Sequence, residues 1–595
     1  MTRTRLGKLV GAFALAALTF AASGCGSGQN SSQQPPPPPT INISVLVPSY
    51  TVAGGGGPTF FVNGGGFTQS SVVQWNGSPI PTTFSTNAIL TASISGSLIA
   101  IPGTASITVK DPSSGATSNA EPFGVTSPAA ATAGVIQLIT IAPDGSPANA
   151  DSLVAPSVNS DGRYVAFQSA ATNLVPGPAS GFQDIYLRDT CLGSAPPGCT
   201  RDTTRISMTY DGSPTNGHSR DSSISGDGRF VAFDSQATNI LPGTAICTGP
   251  LGSCVFLRDT CNGSTTGCVP TTTLISAAVD GTTAGGGNPS MSTGDEFVAF
   301  NSNATNIVSG DNNGAADAFM RDTCNGAPAG CTPSSTLVSL SFTAAQGNDE
   351  SGLPVISGTG RFIAFRSWAT NLAPNVTVVP GDFWRDTCIG APSPCTPSTI
   401  RVDVTASGAQ PNNGVFNNLI PAISSDGRLV AFGSGATNLV SLNVGNPGNA
   451  YVRDTCAGAP PGCTPTTNLV SLANDGSVAN CGSPSQGLSM SSDGRFVAFD
   501  SIATNLVPGD TFPACGFEDI FIRDTCYGVT SGCTPSTVRA SVTNSPNPET
   551  QANDISGYPA ISGDGHYVVF LSAATNLVPS GTNGHGMVFL AKTGF

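Results

Sequence analysis

The sequence predicts an all-β protein whose main part is a seven-bladed β-propeller. A motif, Ser-x-Asp-Gly-Arg-Phe-Val-Ala-Phe-x-Ser-x-Ala-Thr-Asn-Leu-Val and then Asp-Ile-Tyr-Leu-Arg-Asp-Thr-Cys, recurs seven times, and no helical periodicity follows the N-terminal segment. The last copy also lacks a strand that the chain supplies before the first copy. A fixed period of this size indicates one unit copied until the copies bury each other. The Val-Ala-Phe cores of the seven copies begin at Val165, Val231, Val298, Ile363, Val430, Val497 and Val568. The successive spacings between them are 66, 67, 65, 67, 67 and 71 residues.

Each copy divides into four short strands. In the first copy we predict strands at Pro156–Val158, Tyr164–Phe167, Asp184–Leu187 and Thr204–Ser207. The Asp161-Gly162 pair suits a tight hairpin between the first two. Four-stranded units repeated around an axis form the blades of a β-propeller.

The ends of the repeat array predict ring closure. In the seventh copy the third strand is Val588–Leu590, and no fourth strand follows before Phe595. A spare strand, Val135–Ile139, precedes the first copy. We predict that it completes the last blade, because an open array would leave an unpaired strand edge.

Composition limits the classes of partner. About 10% of the 595 residues are charged, and the chain has 72 Gly and 47 Pro, as expected for a turn-rich β protein. The net charge of −14 argues against nucleic acid as a partner.

Residues 1–24 predict an export signal, with basic residues before the apolar stretch Leu9–Phe20. The following Ala22-Ser23-Gly24-Cys25 resembles the lipobox of bacterial lipoproteins, although Ala22 stands where that family usually has Leu. The resemblance implies lipidation of Cys25 and anchoring to a membrane. The alternative is an ordinary cleaved signal followed by an unmodified Cys. Residues 25–39, rich in Gly, Ser and Pro, predict a linker.

Residues 40–127 predict a small antiparallel β-sandwich, since short apolar stretches alternate with Gly and Asn-Gly turns. We predict strands within Ile41–Val47, Thr59–Val62, Ser71–Trp75, Ala88–Ile94 and Ala105–Val109. The glycine placement in Phe60–Phe67 and the run Val73–Gly77 resemble the immunoglobulin-like IPT/TIG domain. The resemblance implies a spacer or adhesion module.

The cysteines predict an oxidising compartment. Without Cys25, 16 of the 17 remain, an even number. Ligand spacing typical of a zinc site is absent, so we predict no metal. Six pairs recur at one place in the repeat: Cys191 with Cys199, Cys261 with Cys268, Cys324 with Cys331, Cys388 with Cys395, Cys456 with Cys463, and Cys526 with Cys533. Two more pairs remain, Cys247 with Cys254 and, by elimination, Cys481 with Cys515.

The repeat, over residues 134–595, resembles the WD40-like propeller repeats of TolB and other envelope proteins. The period is longer than in TolB, seven copies are present, and the N-terminal domain of TolB is absent. The resemblance therefore implies the fold and not the TolB partner.

One end of the predicted propeller is the candidate binding surface, because the connections of variable length share it. At the channel mouth, the residue before the first strand is Ala155, Asp221, Asn288, Leu353, Ile420, Gly487 or Tyr558. One carboxylate among seven makes no acid/base pair, so we predict no catalytic residues. The candidate binding residues are His218, Asp221, Asn288, Tyr558 and His585, with surface histidines as the simpler interpretation.

Three further patterns have structural interpretations. Gly310–Gly314 with Asp317 is oxygen-rich like a calcium loop, but an Asx turn explains it, since no bidentate Glu follows. We predict no cofactor, with calcium left open. The recurrent Arg-Asp pairs, such as Arg188/Asp189, predict strand-end ion pairs and turn hydrogen bonds. The Ala-Thr-Asn triplets, such as Ala171–Asn173, predict turn hydrogen bonds.

The sequence as a whole predicts an exported, lipid-anchored protein of the cell envelope whose propeller binds a protein or glycan. It favours the outer membrane or cell surface, because Gly26 stands where similar proteobacterial lipoproteins use Asp for inner-membrane retention. Two alternatives stay open. One is a secreted polysaccharide lyase or hydrolase with its site at the channel mouth, and the other is a structural envelope component without a pocket.

Overall fold

The computed structural model describes residues 41–595 except 48–49, 53–58, 101–102, 127–135, 243–246, 248–251, 265–266, 328–329, 417–418, 446–447, 485, 511–514, 530–531, 544–550 and 580. The predicted signal segment, Cys25 and the linker lie outside the described residues. What is described is all-β, as predicted, and its one helix is a 3-10 turn at Gly96–Ile99. No helix in this part is long and apolar enough to cross a bilayer.

The N-terminal part forms two sheets. One has the strand order β1-β3-β7-β6 and the other β2-β9-β8-β4-β5. The sequence missed β2, β5, β6 and β9, of which β2 and β5 are only three and two residues long. The strands are β1 (Asn42–Val47), β2 (Tyr50–Val52), β3 (Thr59–Gly65), β4 (Val72–Trp75), β5 (Ser78–Pro79), β6 (Thr82–Thr86), β7 (Ile89–Ser93), β8 (Gly103–Lys110) and β9 (Glu121–Thr126).

Aromatic side chains from both sheets share one core. Phe60 of β3 is fully buried, and its ring centroid lies 5.0 Å from that of Phe123 on β9. Trp75 of β4 lies 5.3 Å from the same Phe123 ring. Tilted aromatic pairs at this distance are favourable contacts. The two sheets therefore pack face to face, as a sandwich requires.

The repeats form seven four-stranded antiparallel sheets, here sheets 1 to 7. Sheet 1 contains β11 (Ser157–Val158), β12 (Tyr164–Ser169), β13 (Asp184–Asp189) and β14 (Asp202–Arg205). Sheet 2 contains β15 (Ser219–Ile224), β16 (Phe230–Ser235), β17 (Cys254–Asp259) and β18 (Thr271–Leu274). Sheet 3 contains β19 (Gly287–Met291), β20 (Phe297–Ser302), β21 (Asp317–Asp322) and β22 (Ser334–Leu337).

The other four sheets repeat this order. Sheet 4 contains β23 (Ser351–Ile356), β24 (Phe362–Ser367), β25 (Gly381–Asp386) and β26 (Ser398–Arg401). Sheet 5 contains β27 (Ala422–Ile423), β28 (Leu429–Ser434), β29 (Asn449–Asp454) and β30 (Thr466–Leu469). Sheet 6 contains β31 (Leu488–Met490), β32 (Phe496–Ser501), β33 (Asp519–Asp524) and β34 (Ser536–Arg539). Sheet 7 contains β35 (Ser556–Ile561), β36 (Tyr567–Ser572), β37 (Met587–Lys592) and β10 (Ile136–Leu138).

The predicted pairing of the N-terminal strand with the last sheet is confirmed. β10 runs antiparallel to β37, with Ile136 opposite Ala591 and Leu138 opposite Phe589. The amide of Ile139 continues this pairing by donating to the Val588 carbonyl at 2.9 Å. β10 is therefore the fourth strand of sheet 7, in the position that β14 occupies in sheet 1.

Contacts between first-strand turns link the sheets in a closed cycle. Ser160 of sheet 1 donates its amide to the Gly226 carbonyl of sheet 2 at 3.0 Å. At the other end of the series, Asp564 of sheet 7 donates to the Ser160 carbonyl at 2.8 Å. The intervening contacts are Met291 N to Ser223 Oγ, Gly294 N to Gly358 O, Gly358 N to Ser425 O, Ser425 N to Ser492 O and Ser492 N to Gly563 O.

The Val-Ala-Phe run is apolar throughout because each second strand is buried on both sides. Val165, Ala166 and Phe167 are all fully buried. The Phe167 ring stacks on Tyr186 of the next strand at 5.7 Å. The equivalent pairs in the other sheets are Phe233/Phe256, Phe300/Phe319, Phe365/Phe383, Phe432/Tyr451, Phe499/Phe521 and Phe570/Phe589.

The Asp-Gly turn of the motif fits its neighbour as well as its own hairpin. Gly228 has φ of 81°, a left-handed conformation that favours glycine. A Cβ at this position would lie 2.2 Å from the ring of Tyr164 in sheet 1. A side chain at Gly228 would therefore clash with Tyr164, and Gly360, Gly427, Gly494 and Gly565 approach the preceding sheet in the same way, whereas sheet 3 has Asp295, with φ of 69°, at this position.

Eight disulfides form, and they have the predicted pairings. Six lie in the hairpins between third and fourth strands: Cys191 with Cys199, Cys261 with Cys268, Cys324 with Cys331, Cys388 with Cys395, Cys456 with Cys463, and Cys526 with Cys533. The other two join Cys247 with Cys254 and Cys481 with Cys515 at the opposite ends of the strands.

Several of these cysteines, among them Cys515 and Cys533, have surroundings that the sequence did not predict. Cys515 is exposed and has φ of 60°, although its partner Cys481 is buried. Cys533 contacts an ion pair, because its Sγ lies 3.7 Å from Asp524 Oδ2 and 3.8 Å from an Arg495 nitrogen. Sequence spacing identified the partner of each cysteine but not its exposure or its charged neighbours.

The strand-end aspartates make ion pairs and turn hydrogen bonds, as predicted, but the arginine that pairs with Asp189 comes from the neighbouring hairpin. Asp189 binds Arg163 at 3.0 Å, and Arg188 donates to Thr203 Oγ1 at 2.9 Å. Residues adjacent on a strand point to opposite faces, so they cannot pair with each other.

The Ala-Thr-Asn triplets make the predicted turn hydrogen bonds. Asn173 accepts from the Asn149 amide at 3.0 Å and donates to the Pro147 carbonyl at 3.0 Å. Asn149 in turn donates its side-chain amide to Thr172 Oγ1 at 2.8 Å. Equivalent bonds in sheets 2, 4, 5, 6 and 7 hold the connection into each of these sheets against its second strand, whereas sheet 3 has Gly285 in place of the asparagine.

Candidate functional site: the loop face

The two ends of the strands differ in the connections that they carry. One end, which we call the loop face, has the connections from second to third strands and from each sheet to the next. The opposite end, the hairpin face, has the tight turns and six of the disulfides. The disulfide between Cys247 and Cys254 and the one between Cys481 and Cys515 lie on the loop face.

Exposed apolar side chains are concentrated on the loop face. Of the 13 exposed large apolar residues in the described part of the chain, ten belong to its connections. The hairpin face has Val529 alone, while Leu98 and Ile400 lie elsewhere. Exposed apolar surface marks interaction sites. The ten are Leu153, Phe182, Tyr210, Val279, Phe342, Val379, Ile420, Leu442, Phe517 and Ile555.

The two predicted loop histidines lie on this face and have different partners. His218 accepts from the Gln183 amide at 3.2 Å through Nδ1, and the Phe182 ring meets it edge-on at 5.2 Å. His585 Nδ1 lies 3.2 Å from Asp151 Oδ1. The structure thus gives His218 and His585 separate partners.

Three other predicted residues occupy bulges in first strands. Asp221, Asn288 and Tyr558 have φ of 47°, 49° and 55°, and the register of each strand shifts at these positions. The prediction that they precede the strand is therefore wrong. Asn tolerates this left-handed conformation, whereas Tyr558 is strained in it. Strained residues of this kind cluster at ligand sites.

Asp221 lies beside a second carboxylate, Asp234 of β16. Burial of Asp234, and then the negative charge of the neighbouring Asp221, raise the pKa of Asp234 to about 7. Burial also raises the pKa of Asp221. Asp234 Oδ1 is buried and has no hydrogen-bond partner. Asp221 is the one carboxylate among the seven aligned positions, and Asp234 of the second strand adds another beside it.

Tyr558 lies near a further acidic group, between sheets 6 and 7. Its amide donates to Asp500 Oδ2 at 3.3 Å, and Asp500 Oδ1 accepts from the Gln486 amide at 2.9 Å. The Gln486 side chain donates to Glu518 at 2.5 Å. Burial, and then the charges of Asp500 and Glu518, raise the pKa of Tyr558. Asn288, by contrast, only donates to Asn301 of its own sheet.

Sequence reasoning missed the second-strand residues Asp234 and Asp500. Both occupy the x of Val-Ala-Phe-x-Ser, which the sequence treats as a variable position in a buried strand. The variability of this position, within a motif that is otherwise nearly constant, was the sequence signal that could have identified these two residues. Across sheets 1 to 7 the residue is Gln168, Asp234, Asn301, Arg366, Gly433, Asp500 or Leu571.

We expect Asp234→Asn to reduce the loss of stability between about pH 4 and pH 7. The folded-state pKa of about 7 exceeds the ordinary 3.8, so the unfolded state releases this proton first as pH rises. Stability therefore falls across that window by about 4 kcal/mol, since the shift is about 3 pKa units at 1.36 kcal/mol per unit. Urea unfolding at several pH values measures this, with the exposed Asp349→Asn as the control. Equal pH slopes for Asp234→Asn and wild type would contradict the prediction.

A small pocket at the hairpin face is lined by all seven sheets. Its volume is about 120 Å³, and its walls are the equivalent first-strand ends and turns of every sheet. Representative lining residues are Asn159, Ser225, Thr293, Ser425 and Ser492. The residues that line this pocket have no charged side chain, so its walls supply no acid or base.

Comparisons with known proteins leave the family open. No protein-family model and no curated protein matches the chain. Among solved structures it is similar to a putative TolB from Agrobacterium tumefaciens, at 16% identity over 53% of this chain and 80% of that one, with a TM-score of 0.28. It is also similar to an auxiliary nutrient binding protein from Bacteroides ovatus, at 10% identity over 93% and 98% of the chains, TM-score 0.28. A Trypanosoma rangeli sialidase matches at 9% identity over 75% and 54%, TM-score 0.31.

Proposed function

We propose that this chain is an exported, lipid-anchored envelope protein whose propeller binds a protein or glycan through the loop face. The observation that carries the proposal is the concentration of exposed apolar side chains there, ten against one on the hairpin face. Aromatic residues at such a surface supply large contact areas to a ligand. No catalytic residue is required for this function.

The architecture we infer is a seven-bladed β-propeller over residues 134–595, one blade for each of sheets 1 to 7. The closed cycle of contacts between sheets supports it. We assign residues 40–127 to an immunoglobulin-like domain of the IPT/TIG kind, which the shared core of two packed sheets supports. Residues 1–24 and 25–39 are assigned to a lipoprotein signal and a linker on their sequence.

An extracytoplasmic location agrees with the disulfides. Eight of them in one chain fit an oxidising compartment and not a reducing cytosol. Anchoring through Cys25, on the outer membrane or cell surface, is proposed from the lipobox resemblance. Mass spectrometry of the mature protein would test it, with an acylated N-terminal Cys25 as the expected result.

We expect Phe182→Ala and Phe517→Ala each to weaken ligand binding at least tenfold, because truncation of a central aromatic contact costs about 2 kcal/mol or more. Phe182 and Phe517 are 37% and 43% exposed on the loop face. A glycan array and a panel of purified envelope proteins identify the ligand, and calorimetry measures its affinity for each variant.

The matched control is Val529→Ala, since Val529 is 39% exposed on the hairpin face. It should leave the affinity unchanged. Loss of binding in the control together with unchanged binding in both Phe variants would place the ligand on the other face. Absence of any ligand would favour a structural component of the envelope.

A polysaccharide hydrolase or lyase is the second candidate function. The favouring observation is the Asp221/Asp234 pair, because a carboxyl with a pKa of about 7 suits a general acid. Turnover of a polysaccharide that Asp234→Asn abolishes would support this candidate over a purely binding role.

A further inference from the structure

A cavity opens between sheets 5 and 6, and its walls include none of the five candidate binding residues predicted from the sequence. Its volume is about 300 Å³, at the lower end of the range of roughly 300 to 1,000 Å³ that small-molecule pockets occupy. Sheet 5 supplies walls from the start of its second strand to the connection after its fourth, and sheet 6 supplies the end of its third strand and the hairpin beyond it. The cavity is therefore large enough for one small ligand.

Two departures from the repeat distinguish this pair of sheets. The first residue of the second strand is aromatic in six sheets, as Phe362 is in sheet 4, but it is Leu429 in sheet 5. The residue after the first hairpin cysteine is Tyr527 in sheet 6 and a smaller residue in the other five sheets that have this cysteine. Both Leu429 and Tyr527 line the cavity.

These departures change how the sheets pack against each other. In sheets 1, 2, 4 and 6 the hairpin arginine lies over the aromatic ring that follows it, 4.6 to 4.8 Å from the ring centroid. Arg428 of sheet 5 has no such ring and lies instead over Tyr527 of sheet 6, at 5.3 Å. Because a leucine is smaller than a phenylalanine, Leu429 fills less of the space between the sheets.

The charged side chains in the walls can make further hydrogen bonds. Asp454 Oδ2 accepts from Arg428 at 2.7 Å, and a carboxylate oxygen can accept a second bond. In the described part of the chain, the hydrogen bonds of Arg523 involve Nη1 alone, which donates to the Leu472 carbonyl and to Thr537 Oγ1. The cavity therefore has an acceptor and a donor that a ligand can use.

Two further side chains add an amide and a hydroxyl. Asn468 is exposed, and its nitrogen donates to Thr466 Oγ1 at 3.3 Å, which leaves its oxygen as an acceptor. Tyr527 is half-buried, and no hydrogen bond to its hydroxyl is found among the described residues. Burial, and then the charge of Asp454, raise the pKa of Tyr527, so its hydroxyl stays protonated and can donate.

This set of groups selects a neutral, hydroxylated ligand. An anion would meet the like charge of Asp454, and a cation would meet the like charge of Arg523. A hydroxyl group both donates and accepts, so it can pair with either side chain. The apolar part of the wall, which includes Leu429, Val452 and Leu469, suits a ligand with one apolar face.

We propose that this cavity binds a single neutral sugar residue, such as the end of a glycan chain. The C–H face of the sugar packs on Tyr527 and Leu429, and its hydroxyls bond to Asp454, Arg523 and Asn468. None of the ten exposed apolar residues of the loop face lines this cavity. The inference therefore does not rest on the proposed function, and each can fail without the other.

Titration of the full-length protein with the methyl glycosides of glucose, galactose, mannose and N-acetylglucosamine, followed by calorimetry, tests the proposal. We expect at least one to bind, with Kd on the order of 10⁻⁴ to 10⁻³ M for a ligand of this size. The corresponding uronic acid and amino sugar should bind about fivefold more weakly or worse, because each brings a charge into the cavity.

Leu429→Phe is the most informative variant, because it gives sheet 5 the aromatic residue of the other six sheets. The ring should fill the cavity and weaken sugar binding about tenfold or more, while the melting temperature equals or exceeds that of the wild type. Tyr527→Ala should weaken binding to a similar extent, and it decides the question if Leu429→Phe does not fold. Ile389→Ala is the matched control, since Ile389 holds the place of Tyr527 in sheet 4, and it should keep the wild-type affinity.

Two results would overturn the proposal. One is the absence of saturable binding by all four methyl glycosides, and the other is an unchanged affinity in both Leu429→Phe and Tyr527→Ala. Sugar binding that is lost in Phe182→Ala and Phe517→Ala but kept in these two variants would place the sugar on the loop face. That result would contradict this inference and support the proposed function.

Discussion

Replacement of Gln137 by proline is expected to lower the free energy of unfolding by about 3 kcal/mol or more. Gln137 lies in the middle of β10, opposite Leu590, so proline removes a ladder hydrogen bond and clashes with the neighbouring strand. Because β10 alone supplies the fourth strand of sheet 7, its loss exposes the edge of β37. Urea unfolding measures the stability, and analytical ultracentrifugation measures the self-association that an open edge promotes.

Gln137→Ala is the control, since it keeps the backbone amide. It should differ from wild type by less than about 1 kcal/mol. A proline variant as stable and as monomeric as the alanine variant would mean that β10 does not close the ring in solution.

Asp382→Asn is expected to cost about 3–5 kcal/mol, because it leaves the charge of Arg366 buried and uncompensated. The Arg366 guanidinium lies 2.9 Å from Asp382 Oδ1, and both side chains are 0% exposed. Arg366 also donates to the Phe416 carbonyl. The double variant Arg366→Met with Asp382→Asn removes both charges and should recover much of the loss.

The comparison for this prediction is Asp386→Asn. Asp386 binds Arg361 at 2.6 Å, but this pair is 13% and 29% exposed. We expect it to cost less than Asp382→Asn, since water remains near the arginine. Chemical unfolding of the four proteins decides the matter, and a double variant no more stable than Asp382→Asn would contradict a dominant role for the unpaired charge.

The repeat made the strands predictable but not their ends. The second strand of sheet 1 extends to Ser169, two residues beyond the predicted end, and the fourth is Asp202–Arg205 where Thr204–Ser207 was predicted. Hydrophobicity marks where a strand is buried, whereas its end depends on pairing with the adjacent strand. Gln168 and Ser169 pair with Ile185 and Asp184, which no local pattern reveals.

The candidate site was predictable in position and not in chemistry. The sequence placed Asp221 at the mouth because it could align the residues before each first strand. It could not place Asp234 beside it, because that contact joins a bulge in β15 to the second strand β16. It also could not separate His218 from His585, whose partners Gln183 and Asp151 come from other connections.

The all-β class, the sevenfold repeat, the eight cysteine pairs and the strand that completes the last sheet could all be inferred from the amino-acid sequence. Each of these depends on a local pattern or on counting along the chain. Which charged groups lie together, such as Asp189 with Arg163 and Asp311 with Asp317, became visible only in the folded protein. The reason is that buried charges are paired by distance across strands and loops, and that distance exists only after the sheets have packed.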